Sequence, residues 1–120
     1  MDNLISQLEA QGQWEVALKL IKQEIIQQKQ ILPEDWHLLG RIYQRLGKYV
    51  PAEKAYIKVL EIAPESPKTL NNLILLDLNL FNIKRANYWL NKALSIKSLS
   101  SVDKELIYTS ACDLKLFELN

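Results

Sequence analysis

The sequence repeats itself with a period of about 34 residues, and this period constrains the fold more than any single motif. A shift of 34 residues superimposes residues of similar size: Trp36 falls on Leu70, Leu39 on Leu73, Ala52 on Ala86, Tyr56 on Leu90 and Pro33 on Pro67. A shift of 35 residues in the other direction places Leu39 on Leu4, Gly47 on Gly12, Tyr49 on Trp14 and Ala52 on Ala17. The extra residue falls in a loop, where an insertion costs little entropy. Units of this length stack on their neighbours, so the chain is expected to form an array.

Three units follow one another, at about 1–32, 33–66 and 67–100. Each unit has the pattern of two helices, with Pro33 and Pro67 suited to the first helical position and a glycine at the turn of the first two units. Residues 101–118 carry apolar side chains at helical spacing and are expected to form a final, capping helix. The sequence therefore predicts an all-α solenoid of three helix-turn-helix repeats and a final helix, in a single domain of residues 1–120.

Large and small residues alternate between Trp36 and Tyr56, and this alternation predicts helix packing rather than an active site. Gly40 and Ala52 are small, which lets two helices cross closely. The surrounding aromatic and leucine side chains then fill the space around the crossing at the density of a protein interior. No catalytic chemistry requires such a pattern.

The balance of charges disfavours a nucleic-acid ligand. The 120 residues include 15 basic and 14 acidic side chains, a net charge of +1, whereas nucleic-acid binders carry a clear basic excess. The N-terminal stretch lacks the basic and apolar regions of a signal peptide. The most apolar stretch, LNNLILLDLNLFNI, is interrupted by asparagine and aspartate and is too short to span a bilayer. The single cysteine, Cys112, fits a reducing compartment, so we expect a cytoplasmic protein that binds neither nucleic acid nor membrane.

The sequence offers little for catalysis. His37 is the single histidine, which excludes a paired-histidine metal site. Cys112 has no local base and would need His37 as a distant partner to act as a nucleophile. No glycine-rich phosphate loop is present. We therefore expect no enzymatic activity, no metal and no cofactor.

The second repeat resembles the tetratricopeptide repeat, whose unit has the pattern W-x2-L-G-x2-Y followed by G-x-Y, A, F/Y, A and P. The matching residues are Trp36, Leu39, Gly40, Tyr43, Gly47, Tyr49, Ala52, Tyr56, Leu60 and Pro64, with Val59 where alanine is usual. The third repeat departs from the pattern at Ile74, Asp77, Phe81 and Ser98. With the final helix, the resemblance covers almost the whole chain and implies a right-handed superhelical α-solenoid.

The resemblance implies that a concave groove, lined by the first helix of each repeat, binds a peptide segment or a helix of a partner protein. The predicted groove residues of the second and third repeats are His37, Arg41, Gln44, Arg45, Lys68, Asn71, Asn72, Leu75, Leu78 and Asn79. Further groove positions are Asp2, Ser6 and Glu9 in the first repeat and Glu105, Thr109 and Cys112 in the last helix. The protein is then an adaptor or scaffold without catalytic activity.

The charge of the groove leaves the nature of the peptide open. One subset of the family grips the C-terminal carboxylates of heat-shock chaperones. The matching positions here are Asp2, Ser6, Leu38, Lys68 and Asn72, of which Lys68 alone has the expected residue type. Arg41, Arg45 and Lys68 still favour an acidic peptide through charge-assisted hydrogen bonds, unless they are solvated charges balanced by Glu34 and Asp35.

An alternative function is assembly with a second copy or with other domains of a longer protein. The first helix of the third repeat is apolar on nearly all sides, so Leu75 and Leu78 either form the floor of the groove or are covered by the last helix. The C-terminal residues Leu106, Leu116 and Phe117 are more apolar than the outer face of a terminal helix usually is. They are a candidate surface for a homodimer or for docking.

Overall fold

The fold is built from helices throughout the part of the chain that can be described. The computed structural model describes the backbone of residues 2–28 and 30–119 and the side chains of residues 4–28 and 30–118. Within these residues there are seven helices and no strand: α1 (Asp2–Ala10), α2 (Trp14–Gln27), α3 (Pro33–Arg45), α4 (Tyr49–Ile62), α5 (Pro67–Asn79), α6 (Ile83–Leu94) and α7 (Ser101–Leu119). Three helix pairs followed by a last helix confirm the expected repeats. None of these helices combines the length and the hydropathy that a membrane span requires.

Side-chain hydrogen bonds cap the starts of several helices, among them α5 and α7. The hydroxyl of Ser66 accepts a hydrogen bond from the backbone N–H of Thr69 at 3.4 Å, at the start of α5. The hydroxyl of Ser100 accepts one from the N–H of Asp103 at 3.1 Å, at the start of α7. Both caps satisfy backbone donors that have no partner within the helix.

The turn inside each repeat requires a left-handed residue. Gly12 and Gly47 have a φ of 73°, which glycine adopts without steric cost. The third repeat has Phe81 at this place, with a φ of 57°, a conformation that costs a non-glycine residue on the order of 1 kcal/mol or more. The ring of Phe81 contacts that of Phe117 on α7, with 5.6 Å between centroids. This aromatic contact offsets part of the backbone strain.

The helices form two compact units that divide between Ile62 and Ala63. In the first unit α1 packs on α2, α2 on α3, and α3 on α4; in the second, α5 packs on α6 and α7, and α6 on α7. The buried core of the first unit contains Ile5, Ala17, Leu18, Ile21, Leu39, Ile42 and Ala55. The buried apolar residues of the second unit are Leu70, Leu73, Ile74, Leu76, Ala86, Trp89, Leu90, Ala93, Ile107 and Leu114.

The helices α3 and α4 of the second repeat cross closely at Gly40. A Cβ atom added to Gly40 would lie 2.6 Å from Cε1 and 2.8 Å from Cδ1 of Tyr56. Tyr56 is 1% exposed, so its ring has little room to move. This contact confirms that Gly40 is small because two helices meet there.

The hydroxyl of Tyr56 is tied to α3 by a hydrogen bond. It donates to Oε1 of Gln44 at 2.9 Å. Burial raises the pKa of Tyr56 to about 12, against a smaller opposing effect of the Arg41 and Arg45 guanidinium groups. The folded protein therefore holds the phenolic proton more tightly than an exposed tyrosine does.

Gly40→Ala is expected to lower the free energy of unfolding by about 1–3 kcal/mol, because the added methyl group overlaps the Tyr56 ring. Urea unfolding followed by circular dichroism measures this loss. The control is the same change in a Tyr56→Val background, which lacks the ring atoms. There alanine should be neutral or stabilising, since it favours a helix over glycine by about 1 kcal/mol. Equal losses in both backgrounds would contradict the proposed overlap.

The raised pKa of Tyr56 predicts a loss of stability in alkaline solution. Stability should be complete below pH 10, the ordinary tyrosine value, and should fall towards pH 12, because the unfolded chain releases the proton first. The expected loss is about 2 kcal/mol, measured by urea unfolding at a series of pH values. Tyr56→Phe keeps the ring but not the proton, so its stability should change less over this interval. An identical pH profile for both proteins would refute the assignment.

Candidate functional site

One side of α3 brings the predicted site residues of the second repeat together. We define the α3 face as Glu34, His37, Leu38, Arg41, Gln44 and Arg45, which share one side of the helix at spacings of three and four residues. Glu34 and Arg45 are exposed and the other members are half-buried. Of the first-repeat positions, Ser6 is exposed and Glu9 half-buried, and the side chain of Asp2 lies outside the described residues.

Tyr56 of α4 contacts two side chains of the α3 face from the buried side of the helix. Its ring lies 5.5 Å from that of His37, centroid to centroid and tilted by 50°, and its hydroxyl bonds Gln44. The sequence predicts Tyr56 only as a packing residue. The structure adds that this residue of α4 holds two predicted site residues in place.

Arg41 is paired with a carboxylate of the first repeat. Its Nε donates to Oε2 of Glu9 at 3.0 Å and its Nη2 to Oε1 at 2.8 Å. The sequence indicated Glu34 and Asp35 as the charges that balance the arginines. Asp35 instead accepts a hydrogen bond from the backbone N–H of Leu32 at 3.1 Å, and this bond caps α3. The ion pair joins residues 32 positions apart, so no local pattern could have indicated it.

Two more cations of the first unit lie over aromatic rings. The guanidinium of Arg45 is 5.4 Å from the centre of the Trp14 ring. The ammonium of Lys22 is 5.3 Å from the centre of the Tyr43 ring. Both distances allow a cation–π attraction. Arg45 therefore has a preferred position although its side chain is exposed.

A second stripe runs along α5. We define the α5 face as Lys68, Asn72, Leu75 and Asn79, which are spaced by four, three and four residues on one side of the helix. Lys68 and Asn79 are exposed, and Asn72 and Leu75 are half-buried. All four belong to the predicted groove, and each side chain reaches the surface. A partly exposed leucine thus lies among two amides and one ammonium group.

Asn71, which the sequence places in the groove, is buried instead. It is 4% exposed, and Ser110 of α7 donates a hydrogen bond to its Oδ1. Leu78 lies seven residues further along the same side of α5 and is half-buried. Because α7 packs on α5, Asn71 holds the two helices together and is not available to a partner. The sequence left open whether Leu75 and Leu78 line the groove or are covered by the last helix. Leu75 lies on the α5 face, and Leu78 lies on the side of α5 that carries Asn71.

The outward side of α7 lines an open pocket. Its residues are Ser101, Lys104, Glu105, Tyr108, Thr109 and Cys112. Three of them, Glu105, Thr109 and Cys112, are the groove positions predicted for the last helix. The thiol of Cys112 is free and exposed. The pocket offers hydroxyl groups and charges of both signs.

The residues predicted as a docking surface differ in their exposure. Leu106 is 39% and Leu116 61% exposed, whereas Phe117 is half-buried. Phe117 contacts Phe81, which is itself 76% exposed. Apolar groups of the second unit therefore remain in contact with water.

A buried carboxylate in α5 has a structural role. Asp77 is 0% exposed, and Nε1 of Trp89 donates to its Oδ2 at 2.7 Å. Among the described side chains, no three His, Cys, Asp or Glu residues converge as metal ligands would.

One repeat of the chain matches the model of a known family. Residues 33–66 match the family model described as the tetratricopeptide repeat. No curated protein matches the sequence significantly. The match covers the repeat in which the sequence pattern is most complete.

Solved structures match nearly the whole chain. PcrH of Pseudomonas aeruginosa, in complex with the chaperone binding region of PopD, has a TM-score of 0.81 and 17% identity over 98% of this chain and 87% of its own. The Yersinia enterocolitica type III secretion chaperone SycD, in complex with a peptide of the translocator YopD, has a TM-score of 0.83 and 19% identity over 98% and 88%.

The Sgt2 TPR domain from Aspergillus fumigatus has a TM-score of 0.76 and 15% identity, over 98% of this chain and 79% of its own. At such identities the likeness concerns the fold. Residues 33–66 are a tetratricopeptide repeat, and the chain has the fold of a tetratricopeptide-repeat helical array.

Proposed function

We propose that this protein is a non-catalytic interaction module that binds a peptide segment or helix of a partner protein through the outward sides of its first helices. It acts as an adaptor or scaffold, without a cofactor. The cytoplasm is its proposed compartment, in keeping with a single, unpaired cysteine.

The α5 face is the observation that carries this proposal. Leu75 offers an apolar contact that is only half-buried. Asn72 and Asn79, on either side of it, each have an amide that both donates and accepts hydrogen bonds. A peptide backbone presents N–H and C=O groups that need such partners once water is excluded. An apolar centre with polar groups at its edge is the usual composition of a protein interface.

The α3 face adds a second set of peptide-binding groups. His37 and Gln44 are held by Tyr56 before any ligand arrives, so less conformational entropy is lost on binding. PcrH and SycD, which share the fold, are seen in complex with a region of PopD and a peptide of YopD, respectively. These complexes support a peptide as the ligand class.

A second candidate function is self-association through the second unit. The observation in its favour is the exposure of Phe81, Leu106 and Leu116. Such apolar groups are costly in water when they lie close together, and they often mark contact surfaces. The partner in this case is a second copy of the chain.

The peptide-binding proposal predicts that selection from a random-peptide display library enriches a shared motif. Leu75→Glu should weaken binding of the selected peptides by about tenfold or more, because a charge replaces the apolar contact. Isothermal titration calorimetry measures the affinities.

Two variants separate loss of the α5 face from loss of folding. Leu94→Glu makes the same chemical change at an exposed position of α6, and it should bind like the unaltered protein. Asn72→Ala combined with Asn79→Ala keeps the leucine and should also weaken binding. No enriched motif, or equal binding by the Leu75→Glu protein, would refute the proposal.

Self-association predicts a mass that rises above 13.9 kDa with concentration. Size-exclusion chromatography with light scattering measures it. Leu106→Glu combined with Leu116→Glu should restore the monomer mass, whereas Val16→Glu, at an exposed position of α2, should not. A mass of 13.9 kDa at every concentration would exclude this second function.

A further inference from the structure

The geometry points to Glu9 as a specificity-determining residue that directs the α3 face away from acidic peptides. We infer that the preferred ligand of this face is an uncharged segment with apolar side chains. The inference rests on the proposed function, since it concerns the charge of the peptide that is bound.

The first step is the geometry of the ion pair. Both carboxylate oxygens of Glu9 accept hydrogen bonds from Arg41, at 3.0 and 2.8 Å. A bidentate pair of this kind is the arrangement in which arginine recognises any carboxylate. Glu9 thus occupies the Nε–Nη2 edge of the guanidinium, one of the edges at which an acidic ligand could bind in the same bidentate way.

The second step is the unequal burial of the two partners. The side chain of Glu9 is 13% exposed and that of Arg41 is 42% exposed. A ligand carboxylate that displaced Glu9 would leave the more buried of the two charges without its partner. Leaving a mostly buried carboxylate without its partner is unfavourable. A ligand that leaves the pair intact avoids this cost.

The third step is the charge around the pair. Arg41 and Arg45 share the α3 face with Glu34, and Glu9 pairs with Arg41, so these two positive and two negative charges sum to zero. Like-charge repulsion from both carboxylates opposes an acidic ligand. Leu38, which is half-buried on the same face, favours an apolar side chain instead.

The repeat supports the same conclusion. A shift of 34 residues places Arg41 on Leu75 and Leu38 on Asn72. The position of Leu75 on the α5 face therefore corresponds to Arg41 on the α3 face, whose charge is balanced by Glu9. The aliphatic part of an arginine side chain also packs against apolar groups. Neither face presents an unopposed guanidinium group at this position.

The test compares two synthetic peptides, one of alternating leucine and glutamate and one of alternating leucine and glutamine. The unaltered protein should prefer the neutral peptide. Glu9→Gln should bind the acidic peptide at least about tenfold more tightly than the unaltered protein does. The reason is that the Arg41 guanidinium loses its carboxylate partner and can pair with a carboxylate of the peptide. This gain should disappear when Glu9→Gln is combined with Arg41→Gln. Fluorescence anisotropy measures all affinities at constant ionic strength.

Glu34→Gln is the matched control, since it removes the same charge from the same face. An equal gain for Glu34→Gln would overturn the role of the ion pair. Equal binding of the acidic peptide by the unaltered and Glu9→Gln proteins would also overturn it, and would leave peptide binding itself intact.

A second measurement does not depend on peptide binding. The Nε–H resonance of Arg41, identified by its absence in Arg41→Gln, is followed by NMR during titration with succinate. A saturable shift in Glu9→Gln but not in the unaltered protein is expected. If this shift is seen but no variant binds either peptide, the proposed function is refuted. Glu9 would still be the group that keeps anions from Arg41. Equal shifts in both proteins would overturn the inference.

Discussion

The close approach of α3 and α4 at Gly40 is the contact on which the architecture of the second repeat depends. The Tyr56 ring fits against α3 only because residue 40 has no side chain. From that position the ring supports His37, and its hydroxyl reaches Gln44. The same packing point therefore sets the helix crossing and the placement of two surface residues. The core of the repeat is thereby connected to side chains that reach the surface.

The last helix decides which parts of α5 remain available. Ser110 bonds Asn71, Phe117 contacts the ring of Phe81, and Nδ2 of Asn87 donates to Glu118 at 2.8 Å. These contacts join α7 to α5, to the turn after it and to α6. One flank of α5 is thus covered by α7, and the side with Leu75 stays accessible. The partly strained backbone of Phe81 is tolerated because its ring forms one of these contacts.

The electrostatic character of the α3 face depends on the partners of its two arginines rather than on the net charge of the chain. Arg41 pairs with a glutamate two helices away, and Arg45 lies over an indole ring. Both cations are partly desolvated by these contacts, and neither acts as an isolated surface charge. This account also explains how a nearly neutral chain can carry two arginines at its predicted site.

The sequence by itself determined the helices and their pairing into repeats. These features follow from local spacing: a 34-residue period, prolines at helix starts, glycines at turns and apolar residues at three- and four-residue steps. The tertiary structure decided the partners of the polar residues. Arg41 pairs with Glu9, Asp77 with Trp89 and Asn71 with Ser110. Each of these pairs joins two different helices, so its formation depends on how the helices pack and not on the residues adjacent in the chain.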